Sequence, residues 1–492
     1  MRRHKAWLVL ALLAVIAAAC GTKVSNEEAA SELKADNGGV AVAAAGTGSS
    51  AGGTGSAASG GGADGVGTSS GASAAGSGAS AAGGSAASGS PAAAGGAAAG
   101  GNAATSKGGA TDVGVTATEM DLGWVGTLTG PVPGIFRGAF VGTQAWINYQ
   151  NSQGGLMGRK LKLIPGDDSL DSGKNRAAHL QLKDKVFSFV GSFSISDDGG
   201  APVLNDCKCP DVSGNLSEAM HTSPYHFGPQ PAEPGWRSGP PKYYASKFPK
   251  DVIEHLAFFY SQVPVSQAIA VQQQRVYEAA GFKVVYTRGL PPNDSNQTAD
   301  VVQMQRAGVK AIVFQGDLDT FHRLVDAMAQ QNFSVELLNL GNSIYDSSTF
   351  KVIKPAELKN LYVDQVYGMF LGEDSDRIPE IKLYLDWMKK TDPGQSVDLF
   401  SMYGWLSGRL FADAMLKLQN EGKNPVRADL INTLHSWGKW EGNGLVAPVD
   451  VGAKKASDCF FVFTSTPDGK FQRTFPDGKN YECGIGPFSP KP

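Results

Sequence analysis

Two pairs of adjacent carboxylates, Asp167–Asp168 and Asp197–Asp198, are residues whose types could do chemistry, as general acid and base. Each pair also stands where aspartate serves as a solvated helix cap, and that is the role expected of both. Cys207 and Cys209, with His221 and His226 downstream, could be assembled into a metal or redox site, although zinc sites favour C-x-x-C spacing over C-x-C. His179 and His322 fall in polar helix patterns and are expected at the surface. The chain carries no G-x-S-x-G elbow, no H-E-x-x-H and no P-loop signature. What remains is a chemistry of binding. The loop Thr127–Gly134, TLTGPVPG, places backbone N–H groups near a helix start, an arrangement that suits an anion or a polar head group.

That loop is positioned by a βαβ unit. An apolar run, Leu122–Val125, precedes it, and a helical pattern with Phe140, Ala145 and Tyr149 about a turn apart follows, stopping at Gly154–Gly155. A second strand, Leu161–Ile164, leads to Asp167–Asp168. The alternation continues with a helix at Ser172–Lys183 and strands at Val186–Val190 and Pro210–Val212, and a Pro- and Gly-rich connection is expected from Phe227 to Pro241. It then restarts: strands at His255–Tyr260, Lys283–Tyr286, Ala311–Gln315, Glu336–Leu340 and Leu361–Met369, with helices at Val265–Ala280, Asn296–Ala307 and Thr320–Gln331. Three helices follow, Ile378–Lys390, Leu399–Glu421 and Val426–Trp437, and Gly444–Phe475 reads as strands with a hairpin at Thr466–Gly469. Repeated βα units predict α/β layers with parallel sheets.

The N-terminal region has a different character. Arg2, Arg3 and Lys5 precede an apolar stretch, Ala6–Ala19, too short to span a bilayer, and Ala17-Ala18-Ala19-Cys20-Gly21 looks like a lipobox. Residues 1–19 are thus expected to be a signal peptide, with Cys20 diacylglycerated; plain cleavage after an Ala-x-Ala site is the alternative. From Ala35 to Gly109 the chain is almost wholly Gly, Ala and Ser, and the 63 glycines are densest there. Such residues bury too little apolar area to offset ordering entropy, so this segment of roughly seventy residues is expected to be disordered, a tether with a reach of ~45 Å or a low-complexity insertion without consequence, within a lipidated and unfolded region 20–112. The formal charge of −3 offers no electrostatic case for nucleic acid.

The loop T-L-T-G-P, the turn N-x-x-G-G-x-x-G-R-K from Asn151 to Lys160 and the Asp-Asp after the second strand together resemble the extracytoplasmic solute-binding proteins of ABC importers, of the branched-chain amino-acid receptor type. The resemblance implies a type I periplasmic binding protein: two Rossmann-like lobes with parallel sheets, joined by three crossover segments, closing over a ligand. The solute-binding domain would span 113–492, with one lobe at about 113–229 and 368–446 and the other at about 230–367 and 447–492. Crossings would fall near Phe227–Pro231, Gln365–Gly368 and Ala447–Asp450. Partners would be a small-molecule ligand, the permease subunits of an importer, and the membrane through the lipid on Cys20; no cofactor and no catalysis are implied.

In the related receptors the first lobe holds a carboxylate with hydroxyls and backbone N–H groups. The matching positions are Ser194 or Ser196 in GSFSISDD and Asn215 and Ser217 in SGNLSEA, with Thr129 and Gly130 lining the same crevice and Trp124 or Phe193 as apolar walls. Each serine could equally be a helix N-cap. In the second lobe the family places an acid after the Glu336–Leu340 strand and an aromatic ring near the strand ending at Tyr260. This chain has Asn342 at the first position and Val263-Pro264-Val265 at the second. Asp317 could supply the missing charge and Tyr345 the ring. The expected ligand is therefore a small polar solute, an amino acid or a related amide or carboxylate. A ligand sensor of the same fold, acting on a signalling partner, is the alternative.

Four cysteines besides Cys20 favour two disulfides in an oxidising compartment. Cys459 ends a turn into an apolar strand and Cys483 lies just past a hairpin, so these two are expected to meet, leaving Cys207 and Cys209 as a small C-x-C ring.

If Cys20 carries the lipid, Cys20→Ala releases the chain or leaves its precursor unprocessed. Metabolic labelling with a fatty acid checks this, and an unlabelled wild-type chain sinks the expectation.

Overall fold

Met120, Leu122, Trp124 and Val125 are all buried, and the strand they form, β1 (Glu119–Gly126), lies inside the first sheet. Beside it run β2 (Lys160–Asp167), β3 (Ser188–Val190), β4 (Asp211–Val212) and β5 (His226–Phe227), in the order β2-β1-β3-β4-β5 with every pair parallel. The connections are α1 (Arg137–Ser152), α2 (Ser172–Leu182), α3 (Ala201–Cys207) and α4 (Glu218–Thr222). After α1 the chain turns at Gly154 and Gly155, both with positive φ, where a side chain would be strained. The structure, a computed structural model, describes residues 109–485 except 131–132, 215, 230–236, 263, 292–293 and 456. The expected leader, Cys20 and nearly all of the tether lie outside the described residues.

The second lobe repeats the plan. It opens with α5 (Gly239–Lys247) and continues through β6 (Leu256–Ser261), α6 (Pro264–Ala279), β7 (Val284–Leu290), α7 (Thr298–Arg306), β8 (Ala311–Gln315), α8 (Leu318–Gln330) and β9 (Leu337–Asn339). Its parallel order, β7-β6-β8-β9, is the order of β2-β1-β3-β4. A parallel bridge from Leu338 to Leu361 brings in β10 (Val363–Gln365). The chain then returns to the first lobe as α9 (Pro379–Thr391), α10 (Leu399–Asn420) and α11 (Arg427–His435), with the small pair β11 (Lys439–Trp440) and β12 (Val449–Asp450). Last come β13 (Phe461–Ser465), antiparallel to β10, and β14 (Phe471–Phe475), joined to β13 by the expected hairpin.

The chain therefore passes between the sheets three times. The second and third passages run side by side: Ala447 donates its N–H to the Val366 carbonyl at 2.7 Å, and Gly368 to the Leu445 carbonyl at 2.8 Å. Ala447–Asp450, expected at the third crossing, pairs with Val366 and with β11. Lys454 still donates to the Ser223 and His221 carbonyls of the first lobe, so the passage into the second sheet is completed between Lys455 and Phe460. Arg237, just after the first passage, and Asp364, just before the second, form a buried ion pair at 3.4 Å.

One contact holds the first lobe together. Helix α10 crosses α1 backbone to backbone. A Cβ on Gly142 would sit 2.0 Å from the Ser401 carbonyl oxygen, and one on Gly404 would sit 2.1 Å from that of Ala139. No side chain fits at either point. Around this crossing Trp146, Trp405, Leu410 and Phe411 are buried, and Tyr149 stacks on Trp405 at 6.0 Å.

Several expectations need correction. The connection expected at 227–241 is shorter at both ends. His226–Phe227 forms the last strand of the first sheet, and α5 starts at Gly239 with prolines in its first turn, where a missing N–H costs no hydrogen bond. Helix α3 was not foreseen, because its seven residues are too few for a periodic pattern. The strand expected over Leu361–Met369 is three residues long, the rest forming the second passage. Cys459–Cys483 and Cys207–Cys209 are both disulfide-bonded.

Substituting Gly142→Ala is expected to cost about 1–3 kcal/mol, the usual size of overpacking strain. Urea unfolding checks it, with Gly438→Ala, which meets nothing within 4 Å, as the neutral control.

Candidate functional site

In each sheet the chain leaves the first strand in one direction and later resumes on its other side. That reversal opens a crevice beyond the carboxyl ends of the two central strands. In the first lobe it falls between β1 and β3, and an added bridge from Gly126 to Phe193 holds their two loops together. In the second it falls between β6 and β8.

The β3 loop is built by hydrogen bonds inside it. Ser194 and Ser196 are both buried, and the Ser194 hydroxyl accepts from the Ser196 N–H at 3.0 Å. Asp197, 5 % exposed, reaches the neighbouring loop, its carboxylate accepting from the N–H groups of Leu216 at 2.7 Å and Ser217 at 3.1 Å. Burial pushes the Asp197 carboxyl up despite those bonds. Asp197 is thus a buried clasp between two crevice loops, not the solvated residue expected; Asp198 is exposed and accepts from the Ser172 hydroxyl. Ser217 caps α4 by accepting from the Met220 N–H at 3.2 Å. Asn215 lies outside the described residues.

The loop after β1 is fastened at its other end. Asp167 accepts from the Thr129 hydroxyl and from the N–H groups of Leu128, Thr129 and Ser169. Burial works against it, but these bonds hold its carboxyl down at about 2. Asp168 is fully buried and accepts from the Thr127 hydroxyl at 2.7 Å and from Asn175 at 2.9 Å. Neither Asp168 nor His179, 1 % exposed beside the Phe189 ring, is the surface residue expected. Thr129 and Gly130 stay exposed, Gly130 at φ 110° against the Ser169 backbone.

Phe193 carries the aromatic wall. Its ring lies against Gly214, where a Cβ would come within 2.7 Å of it, and it meets Phe136 at 5.1 Å and Phe400 and Tyr403 at 5.2 Å. Trp124 is buried behind this cluster against Phe140. Phe400 and Tyr403 stand at the start of α10, more than two hundred residues from Phe193. Sequence reasoning missed both, although the capping pattern Asp398…Ser401 marks the helix start. Tyr403 meets Tyr367 of the second passage at 5.3 Å, which puts the wall beside that passage.

The second-lobe candidates are dispersed. Asn342 starts a short 3-10 turn after β9 and is half-buried. Asp317 caps α8, its carboxylate accepting from the Thr320 N–H at 3.0 Å. Tyr260 is half-buried, its ring over Gly289. Tyr345 is buried among Phe370, Phe463 and Phe471, its hydroxyl bonded to Glu373. His226 is bonded to Asp211 at 2.6 Å and the C-x-C cysteines to each other, so neither is available as the metal ligand considered above.

The sequence model of the periplasmic binding protein family matches residues 119–470, and the chain belongs to that family. Its architecture is that of the type I branch to which the branched-chain amino-acid receptors belong. A fatty acid ABC transporter substrate-binding protein from Thermomonospora curvata is 17 % identical over 74 % of this chain and 92 % of that one, with a TM-score of 0.60. A branched-chain amino acid ABC transporter protein from Thermus thermophilus with bound valine is 12 % identical over 75 % and 96 %, TM-score 0.61. A branched-chain amino acid transporter substrate-binding protein from Streptococcus pneumoniae in complex with isoleucine is 14 % identical over 73 % and 100 %, TM-score 0.58. No curated protein matches the chain significantly. Among the described residues no helix is long and apolar enough to cross a membrane.

Asp398 at the α10 N-cap gives the site a pH signature. Burial pushes its carboxyl up to about 6 against the bonds from Ser401, with the Asp346 carboxylate of the second lobe adding its repulsion. A folded-state value above the unfolded 3.8 stabilises the fold below about pH 4 and loses that contribution as pH rises through about 6. Asparagine keeps the cap without the charge. Relative to wild type, Asp398→Asn is therefore expected to gain about 2–3 kcal/mol between those pH values and to show no further change above pH 7. Melting curves at stepped pH check it.

Proposed function

We propose that this chain is a lipid-anchored, extracytoplasmic substrate-binding protein that captures a small solute between its lobes and delivers it to an ABC importer. The observation that carries the reading is the pair of parallel sheets with one strand order, each opening a crevice at its carboxyl edge, joined by three passages. Support for the ligand class comes from the solved neighbours, whose names include fatty acid, valine and isoleucine. In the first lobe, Ser194, Ser196, Asn215 and Ser217, with Thr129 and Gly130 beside them, would receive a carboxylate or similar head through hydroxyls and backbone N–H groups. In the second lobe Asn342, Asp317 and Tyr260 would face the rest of the ligand. Tyr345 would act from behind them, as packing.

Ligand that binds only the folded state raises the melting temperature. A thermal-shift panel of amino acids, amides, short peptides and organic acids is expected to yield at least one stabilising class; a flat response across the panel overturns the reading. Asp317→Asn keeps the α8 cap while removing the charge. If Asp317 meets a ligand ammonium, affinity for amino acids falls more than tenfold, or ~1.4 kcal/mol. Undiminished affinity leaves Asp317 as a helix cap alone.

A further inference from the structure

The C-x-C pair takes no part in the crevice. Cys207 is the last residue of α3, Cys209 stands just before β4, and the disulfide between them spans a single residue, Lys208. Lys208 has φ 53° and ψ 40°, a left-handed conformation that disfavours any residue carrying a Cβ. While the ring is closed the turn is locked there; opening it lets Lys208 relax. A ring closed over one residue also restricts the unfolded chain very little, so it adds little stability against the strain it holds. Cys459–Cys483 differs on both counts. Its cysteines are 24 residues apart, and beside them Phe460 and Glu482 exchange backbone hydrogen bonds at 3.0 and 2.8 Å. Those bonds keep the two ends together whether or not the sulfurs are joined.

The two sulfurs of the small ring are also unequal. Cys209 is buried, whereas Cys207 is half-buried, and Asn205, Asp206 and Lys208 around it are exposed. A thiolate arriving from solvent therefore meets the Cys207 sulfur, with the cation of Lys208 in the next position to favour it. Acceptors for the released thiols are already in place. The Lys183 carbonyl lies 3.9 Å from the Cys209 Sγ, and the Leu204 carbonyl 3.7 Å from the Cys207 Sγ.

We propose that Cys207–Cys209 is a thiol–disulfide exchange site that takes two electrons from a dithiol, entered at Cys207, while Cys459–Cys483 is structural. One thiolate of the dithiol bonds to the Cys207 sulfur as the Cys207–Cys209 bond breaks, and the Cys209 thiolate leaves and takes a proton from water. The second thiolate of the same dithiol then attacks its partner sulfur in the mixed disulfide and expels Cys207, which is protonated in turn. The dithiol ends as a disulfide and the ring as two thiols. This activity lies at the amino end of β4, opposite the crevice loop that follows the strand, and is independent of the receptor reading.

The full chain, folded and without denaturant, is equilibrated in graded mixtures of reduced and oxidised dithiothreitol, quenched in acid, alkylated and mapped by peptide mass. Cys207 and Cys209 are expected to be half-reduced at a proportion of reduced reagent at least tenfold lower than Cys459 and Cys483. Lys208→Gly, which removes the left-handed strain, is expected to raise that proportion at least threefold. Cys209→Ser, leaving Cys207 free, is expected to take up glutathione from its disulfide at least tenfold faster than Cys207→Ser, which leaves Cys209. Circular dichroism checks that the variants fold, and should one fail, the comparison of the two disulfides in the wild-type chain decides. Reduction of both disulfides together, or of Cys459–Cys483 first, overturns the exchange site. Faster uptake at Cys209 overturns Cys207 as the point of entry, and an unchanged midpoint in Lys208→Gly overturns the strain at Lys208 as its cause.

Discussion

The first lobe exists as a unit because two helices far apart in the chain can touch through their backbones. Helix α10 arrives only after the chain has built most of the second lobe, yet it covers the sheet begun at β1. Gly142 and Gly404 let it settle against α1 at a distance that forbids a Cβ on either helix. This approach fixes where α10 begins, and its beginning is where Asp398, Phe400 and Tyr403 stand. The aromatic wall, the buried cap and the contact with Tyr367 of the second passage all inherit their positions from that crossing.

The same economy governs the loops at the carboxyl edge. A loop that binds a ligand must expose donors and still hold a shape, which costs backbone entropy. Here the shape is held by carboxylates aimed at backbone N–H groups: Asp197 toward Leu216 and Ser217, Asp167 toward Leu128, Thr129 and Ser169. Asp167, held down at about 2, makes these bonds as an ionised acceptor, stronger than a neutral one. The acids that could have been mistaken for catalytic pairs are therefore scaffolding.

Much of this was legible in the residues. The apolar run at Leu122–Val125 and the stop at Gly154–Gly155 appear as read, because strand burial and glycine stops are local effects. The repeat of βα units, and with it two parallel sheets, followed from the same periodicities. What escaped was set by distance in the chain. Nothing near Phe193 says that Phe400 will pack on it, and nothing in the polar helix around His179 says that it turns inward against Phe189 and Gly200. Tyr345 was read as a ring available to ligand, an expectation from resemblance; its neighbours Phe370, Phe463 and Phe471 come from three other segments. Short pieces such as α3 and β5 lacked the length for any pattern to show.

The side-by-side passages of Val366–Gly368 and Leu445–Ala447 bear on how the two halves move. Two strands cross-linked by hydrogen bonds form a ribbon, and a ribbon folds readily across its flat face but resists sliding in its own plane. Close by, Arg237 is held to Asp364 of β10 by a buried ion pair. Bending across that flat face is therefore the movement the paired passages oppose least. Bending of that kind would turn the outer surfaces of the two halves together, so that a molecule touching both would meet a different shape when the crevice is open and when it is shut.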